Sequence, residues 1–97
     1  MELNKECICM VCNKPISTND NGRVEWINKD VNEISDIHLC HDECSWGYNN
    51  SKLNIGDWIF SQMYGGPDYV YERLEEMEKN NPYQAAKINE IRKQLFE

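Results

Sequence analysis

The sequence predicts a small α+β domain, with a knuckle, a β-hairpin and a short helix in its first half and a helical hairpin in its second. Three observations support this fold class. Cysteine and histidine pairs flank the first half, a segment between them alternates apolar and polar residues, and two later stretches carry apolar residues at helical spacing. The 97 residues contain no repeat, so we expect one compact unit in which 53–97 packs on a finger formed by 1–52.

The two cysteine-rich segments have the spacing of metal ligands. Cys9-Met-Val-Cys12 is a Cys-x-x-Cys pair, and the later segment Cys40-His41-Asp-Glu-Cys44 contains a His-x-x-Cys pair. Three-residue spacing puts His41 and Cys44 on one face of a helical turn, but four-residue spacing does the same for Cys40 and Cys44. We therefore predict one structural Zn²⁺, with Cys40 as the alternative to His41 and with these preferred ligands: Cys9, Cys12, His41 and Cys44.

The hairpin is expected between these two pairs. Residues 23–28 alternate Val24 and Trp26 with Arg23 and Glu25, the pattern of a half-buried strand. Residues 36–39 would return as a second, antiparallel strand. Residues 41–48 would then form the short helix that carries the second ligand pair.

The second half has three helical signals. Residues 53–64 form the most apolar stretch, and Asp57 is placed to cap a short helix over 57–64. A second helix would begin at Pro67 and bury the stripe Val70, Leu74 and Met77. A third would follow Pro82, with Asn81 and Gln84 as a capping box and the stripe Ile88, Ile91 and Leu95. A short loop between the last two helices predicts an antiparallel pair.

Composition limits the kinds of function that the chain could have. Seventeen acidic against ten basic residues give a net charge of −7, which repels nucleic-acid phosphates and favours basic protein partners. Five cysteines, an odd number, together with the lack of a secretory signal or bilayer-spanning stretch, predict a cytoplasmic protein without membrane contact. A catalytic zinc needs an open coordination position, whereas four ligands are available here, so the protein is expected not to be an enzyme.

These features favour a protein-interaction module whose partners are proteins with a basic surface. Its contact residues would be aromatic and acidic side chains, since aromatic side chains anchor many interfaces: Trp58, Phe60, Tyr64, Glu72, Glu75 and Glu76. We expect a bacterial or phage regulator or inhibitor that binds a host protein. The alternative is a zinc finger that binds nucleic acid through Lys14, Arg23 and Lys29.

Two families are similar to parts of the chain. Through Cys9-x-x-Cys12 and His41-x-x-Cys44, the first 44 residues resemble treble-clef or knuckle-type zinc fingers. The two pairs and the later Pro67-Asp68-Tyr69 also resemble the small Gin-type anti-sigma proteins of spore-forming bacteria. The gap between the pairs is longer here, and there is an extra carboxyl-terminal helix. The resemblance implies a zinc-held module that binds and blocks a protein.

Overall fold

A computed structural model describes residues 2–18, 21–50, 52–60 and 66–97. Within them, five strands precede two long helices: β1 Glu6–Ile8, β2 Pro15–Ser17, β3 Gly22–Asp30, β4 Glu33–His41, β5 Ile55–Ile59, α2 Gly66–Asn80 and α3 Ala85–Phe96. Between β4 and β5 lie a 3-10 helix, Asp42–Cys44, and the one-turn helix α1, Trp46–Asn49. A second 3-10 turn, Pro82–Gln84, joins α2 to α3. The α+β fold class is confirmed.

The strands form two antiparallel sheets. In the smaller sheet β1 pairs with β2, and the turn between them contains Cys9 and Cys12. In the larger sheet β3 lies between β4 and β5. The predicted hairpin is therefore present as β3 and β4, and both strands are longer than the sequence pattern indicated because pairing continues to Asp30 and Glu33 at its tip.

The two long helices bury the predicted stripes. Val70, Leu74 and Met77 of α2 and Ile88, Ile91 and Leu95 of α3 are all 7 % exposed or less. They share one apolar core with the sheet residues Val24, Ile37 and Leu39. The helical hairpin is confirmed, because α2 and α3 contact each other and α3 contacts both β4 and β1. No helix within the described ranges is both long enough and apolar enough to cross a bilayer.

The opposite face of the large sheet is buried as well, which corrects the expectation that β3 is half-buried. Glu25 is 0 % exposed and His38 is 5 % exposed. Ser45 and Trp46 contact these side chains, and the ring of Trp46 lies 4.2 Å from that of His38 between centroids. The alternation in β3 therefore separates an apolar face from a polar face that is also buried. It does not separate an apolar face from one in solvent.

The predicted helix over 57–64 is wrong where the structure describes it. Residues 55–59 instead form β5, which pairs antiparallel with 23–27 of β3. Trp58 and the two flanking isoleucines suit a strand, and Trp58 contacts Trp26 edge to face at a centroid distance of 4.7 Å. Cross-strand pairing thus outweighs the helix-capping signal of Asp57. Residues 61–65 lie outside the described residues.

The proposed capping box of Asn81 and Gln84 is also wrong. The Asn81 side chain makes no cap hydrogen bond, and it is 0 % exposed. Its Oδ1 accepts from the backbone N–H of Ile34 at 2.9 Å, and its Nδ2 donates to the carbonyl oxygens of Asn32 and Met77 at 3.0 Å each. Asn81 therefore fastens the end of α2 to the hairpin.

Candidate metal centre

The first ligand pair lies on a tight turn between β1 and β2. The N–H of Cys9 donates to the carbonyl oxygen of Lys14 at 2.9 Å, and the N–H of Asn13 donates to that of Cys9 at 2.9 Å. Asn13 has φ 63°, a left-handed conformation that asparagine adopts more readily than most residues. This geometry directs the backbone N–H groups of Val11 and Cys12 at the Cys9 sulfur, each at 3.4 Å.

The second pair lies where β4 ends. His41 is the last residue of the strand, and Cys44 is the last residue of the 3-10 helix that follows. The expected helix over 41–48 is therefore interrupted: it consists of this 3-10 turn and then α1, which begins after Ser45. The Ser45 hydroxyl caps α1 by accepting from the N–H of Gly47 at 3.2 Å. The three-residue spacing of His41 and Cys44 still brings both side chains to one point.

Four ligand atoms converge between these two segments. One atom from each of Cys9, Cys12, His41 and Cys44 lies within 4.8 Å of all the others. His41 Nδ1 is 3.3 Å from the Cys12 sulfur and 3.9 Å from the Cys44 sulfur. With Zn–S bonds of about 2.3 Å and a Zn–N bond of about 2.0 Å, tetrahedral ligand atoms are about 3.5–3.8 Å apart. The spacing therefore fits a single tetrahedral ion.

The histidine is oriented for ligation. His41 Nε2 is 2.8 Å from the carbonyl oxygen of Pro15, which can only accept a hydrogen bond. Nε2 therefore carries the hydrogen, and in the neutral ring Nδ1 presents its lone pair to the three sulfurs. Histidines that bind zinc commonly donate a hydrogen bond from the ring nitrogen that does not bind the metal. The carbonyl of β2 thus orients a ligand contributed by β4.

The thiols of this cluster differ in acidity. Burial opposes ionisation of Cys9, but the N–H donors from Cys12, His41 and Val11 outweigh it and lower the pKa of Cys9 to about 6. Burial, with the nearby sulfurs of Cys12 and Cys9, raises the pKa of Cys44 to about 11. If all three cysteines were ionised, their thiolates would repel one another unless a cation lay between them. Zn²⁺ would supply that charge and link the two segments.

The knuckle is also fixed to the sheet independently of any ion. The N–H of Met10 donates to the carbonyl oxygen of Leu39 at 2.8 Å, and the N–H of Leu39 lies 3.5 Å from the Met10 sulfur. Both contacts lie on the outer edge of β4, two residues before His41. The hydrogen bonds of the backbone therefore set the distance between the two ligand pairs.

Cys40 and Cys7 lie outside the four-atom cluster. Cys40 is 0 % exposed and belongs to a separate group with Glu25 and His38. Successive residues of a strand point to opposite faces, so Cys40 and His41 cannot serve the same ion in this conformation. Burial, with the charges of Cys9 and Glu6, raises the pKa of Cys7 to about 12, as expected for an unreactive core thiol.

A buried carboxylate that the sequence reasoning missed holds the second ligand segment. Glu25 accepts hydrogen bonds from the hydroxyl of Ser45 at 2.6 Å and from the N–H of Trp46 at 2.7 Å. Its Oε1 is 2.9 Å from His38 Nε2, whose ring is fixed by the carbonyl oxygen of Asp36 at 2.6 Å from Nδ1. Burial works to raise the pKa of Glu25, but these donors lower it below its usual value.

The predicted contact residues are spread over two elements. Trp58 lies on β5 and is half-buried, whereas Phe60 is 6 % exposed and belongs to the core. Tyr64 lies outside the described residues. Glu72, Glu75 and Glu76 lie on α2 and are exposed. Burial thus removes Phe60 from the candidate surface and leaves Trp58 and the three glutamates.

Fold and ligand geometry together define a small α+β domain with a site of three cysteines and one histidine that can hold a metal ion, of the kind found in zinc fingers. No protein-family model matches the chain, and no curated protein or solved structure is significantly similar to it.

Proposed function

We propose that this chain is a zinc-stabilised protein-interaction domain that binds a partner with a basic surface and is not an enzyme. The observation that supports it best is the pairing of its arginines. Each of the three bonds to a carboxylate of the same chain: Arg23 to Asp42 and Asp57, Arg73 to Glu76, and Arg92 to Glu78. The charge of the three arginines is thereby neutralised internally, and the acidic excess of the net charge of −7 remains for a partner.

The same pairing weakens the nucleic-acid alternative. Arg23 was one of three bases near the hairpin that phosphate binding would require. Its side chain is 12 % exposed and lies 3.0 Å from a carboxylate oxygen of Asp42 and 3.1 Å from one of Asp57. The remaining two, Lys14 and Lys29, are too few for a phosphate-binding face.

The exposed face of α2 is the proposed contact surface, together with Trp58 on β5. Glu72 and Glu75 are exposed, and within the described residues neither has a basic partner. Charge complementarity at such a surface mainly accelerates association and selects partners. The half-buried indole of Trp58 would supply apolar contact area.

We further propose a regulatory or inhibitory role of bacterial or phage type, in which the domain blocks a host protein. The support for this role is the resemblance of the Cys pairs and of Pro67-Asp68-Tyr69 to Gin-type anti-sigma proteins. The zinc would hold the finger rigid, so that the helical half presents its surface without an ordering cost on binding.

A capture experiment tests the proposal. The tagged chain would be incubated with nuclease-treated bacterial lysate beside two variants of equal charge change. Glu72→Lys with Glu75→Lys alters the proposed surface, and Glu90→Lys with Glu97→Lys alters exposed positions at α3 and the chain end. We expect one protein, in stoichiometric amount, with the wild type and the α3 control, and its loss with the α2 variant. The proposal fails if no protein is captured and nucleic acid is recovered once nuclease is omitted.

A further inference from the structure

The two outer edges of the large sheet differ in whether their outward backbone groups are hydrogen-bonded. On β4, the backbone N–H groups of Ile34 and Ile37 are bonded by the side-chain oxygens of Asn81 and Gln84, at 2.9 and 3.3 Å. The knuckle bonds the same edge further along the strand. Exposed strand edges invite pairing with another chain, and cover of this kind prevents it. The β4 edge is therefore closed.

The outer edge of β5 is open among the described residues. The N–H of Asn28 donates to the carbonyl oxygen of Asn54 at 2.8 Å, which makes them a hydrogen-bonded pair. Because such pairs alternate along an antiparallel ladder, the backbone groups of Ile55, Asp57 and Ile59 point away from β3. No backbone partner is found for these outward groups in the part of the chain that the structure describes.

We propose that β5 is a docking strand to which an extended segment of a partner protein, with lysine or arginine at alternate positions, adds as a fourth strand. This inference rests on the proposed protein-binding function and names the mode of binding. Main-chain hydrogen bonds to the outward groups of β5 would give affinity, and alternate side chains would give selectivity.

The acidic side chain of Asp57, on one face of β5, favours a basic segment. Asp57 projects on the face that carries Glu25, and its side chain is 33 % exposed. Arg23 binds both Asp57 and Asp42, at 3.1 and 3.0 Å, so this cluster of two carboxylates and one guanidinium keeps one negative charge. A strand added to β5 would thus place alternate side chains near this acidic cluster.

The same charges disfavour a second copy as occupant. An antiparallel pairing of β5 with itself, centred on its middle residue, would put the two Asp57 carboxylates directly opposite each other. Like charges in that position destabilise a strand pair. Two copies would also each bring a net charge of −7.

Apolar area at the edge is available to the added strand. Ile55, Trp58 and Ile59 are all only partly buried, although each lies on a paired strand. Neighbouring strands lie about 4.8 Å apart, so side chains of an added strand would cover this area. Burial of it would add to the main-chain hydrogen bonds.

Amide NMR of the zinc-loaded full chain tests the proposal with a synthetic peptide of alternating lysine and valine as the probe. We expect the amide signals of Ile55, Asp57 and Ile59 to shift and their hydrogens to be protected from exchange. A matched peptide of alternating glutamate and valine should leave them unchanged. Shifts confined to α2, without protection in β5, would overturn strand addition.

Two variants separate hydrogen bonding from charge. Asp57→Pro removes one outward N–H and leaves the ladder to β3 intact, so the affinity for the basic peptide should fall about tenfold. Asp57→Asn keeps that N–H and removes the charge, so protection in β5 should persist with weaker binding. Equal affinity of wild type and Asp57→Pro, with normal zinc content, would contradict the proposal.

The outcomes also distinguish this inference from the proposed function. If a captured protein depends on Glu72 and Glu75 but β5 shows no protection, the interaction domain stands and strand addition fails. If the basic peptide adds to β5 but no protein is captured, strand addition stands and the proposed function fails.

Discussion

The carboxylate of Glu25 lies 2.6 Å from the hydroxyl of Ser45, the residue that follows the last metal ligand. Glu25 is on the central strand of the sheet, so this hydrogen bond connects the core to the loop that carries Cys44. The N–H of Trp46 donates to the same carboxylate at 2.7 Å. The candidate metal centre is therefore held at its far end by a buried acid.

Replacing this acid should weaken the fold in a pH-dependent way. Glu25→Gln keeps the shape but loses the charge-assisted hydrogen bonds, and we expect the free energy of unfolding at neutral pH to fall by about 3 kcal/mol. The pKa of Glu25 is lowered from its ordinary value of 4.5 in the fold. Its stabilising effect is therefore complete above pH 4.5 and is lost as the pH falls through the lowered pKa.

Urea unfolding of both proteins over a range of pH checks this prediction. Acid also protonates the metal ligands, so the quantity to follow is the difference in unfolding free energy between wild type and Glu25→Gln. That difference should be constant above pH 4.5 and shrink below it. A difference that grows in acid would mean that Glu25 is not ionised in the fold.

Asn81→Ala should destabilise the junction of α2 with the hairpin. The change leaves the N–H of Ile34 buried without its acceptor and also removes two donated bonds. Each unsatisfied buried group costs about 1–3 kcal/mol, so we expect a loss of about 3 kcal/mol in urea unfolding. Asn80→Ala, at the exposed neighbouring position, is the matched control and should change stability by less than about 0.5 kcal/mol.

Gly56→Ala should also be destabilising, because the indole of Trp26 occupies the space of a side chain. A Cβ at this position would lie 2.4 Å from Trp26 Nε1 and 2.5 Å from Cε2. Overpacking of this kind costs about 1–3 kcal/mol. Gly47→Ala is the control, since its Cβ would meet no atom closer than 3.5 Å. Equal thermal unfolding midpoints for the two variants would show that Trp26 does not pack on β5.

Cysteine variants should separate ligands from core thiols. Cys44→Ser should lose the bound zinc and the native structure of the finger, because binding of a structural zinc contributes to folding. Cys7→Ala and Cys40→Ala should each keep one zinc per chain, measured by elemental analysis of the purified protein. Loss of zinc from Cys40→Ala, with retention in Cys44→Ser, would reverse the assignment.

Much of the fold could be predicted from local patterns. The stripes of α2 and α3 have helical period, and their burial follows because each helix has a single apolar face. The four residues of the candidate metal centre were recognisable because zinc chemistry restricts both residue type and spacing. These features depend on residues close together in the chain, which a single sequence displays.

Features that depend on distant partners could not be predicted in this way. The strand β5 forms because residues 55–59 find β3, and nothing in the local sequence outweighed the helix signal of Asp57. Asn81 and Glu25 looked like a helix cap and an exposed strand residue. Their actual bonds span 47 residues in one case and 20 in the other, to Ile34 and Ser45. Such pairings are visible only once the chain is folded.

X-ray absorption at the zinc edge of the purified protein tests the central claim most directly. With Cys9, Cys12, His41 and Cys44 as ligands, we predict three sulfur neighbours at about 2.3 Å and one imidazole nitrogen at about 2.0 Å. Four sulfur neighbours would place a further cysteine, such as Cys40, in the shell instead of His41. A light-atom neighbour without the imidazole signature would indicate an open position and contradict a purely structural metal.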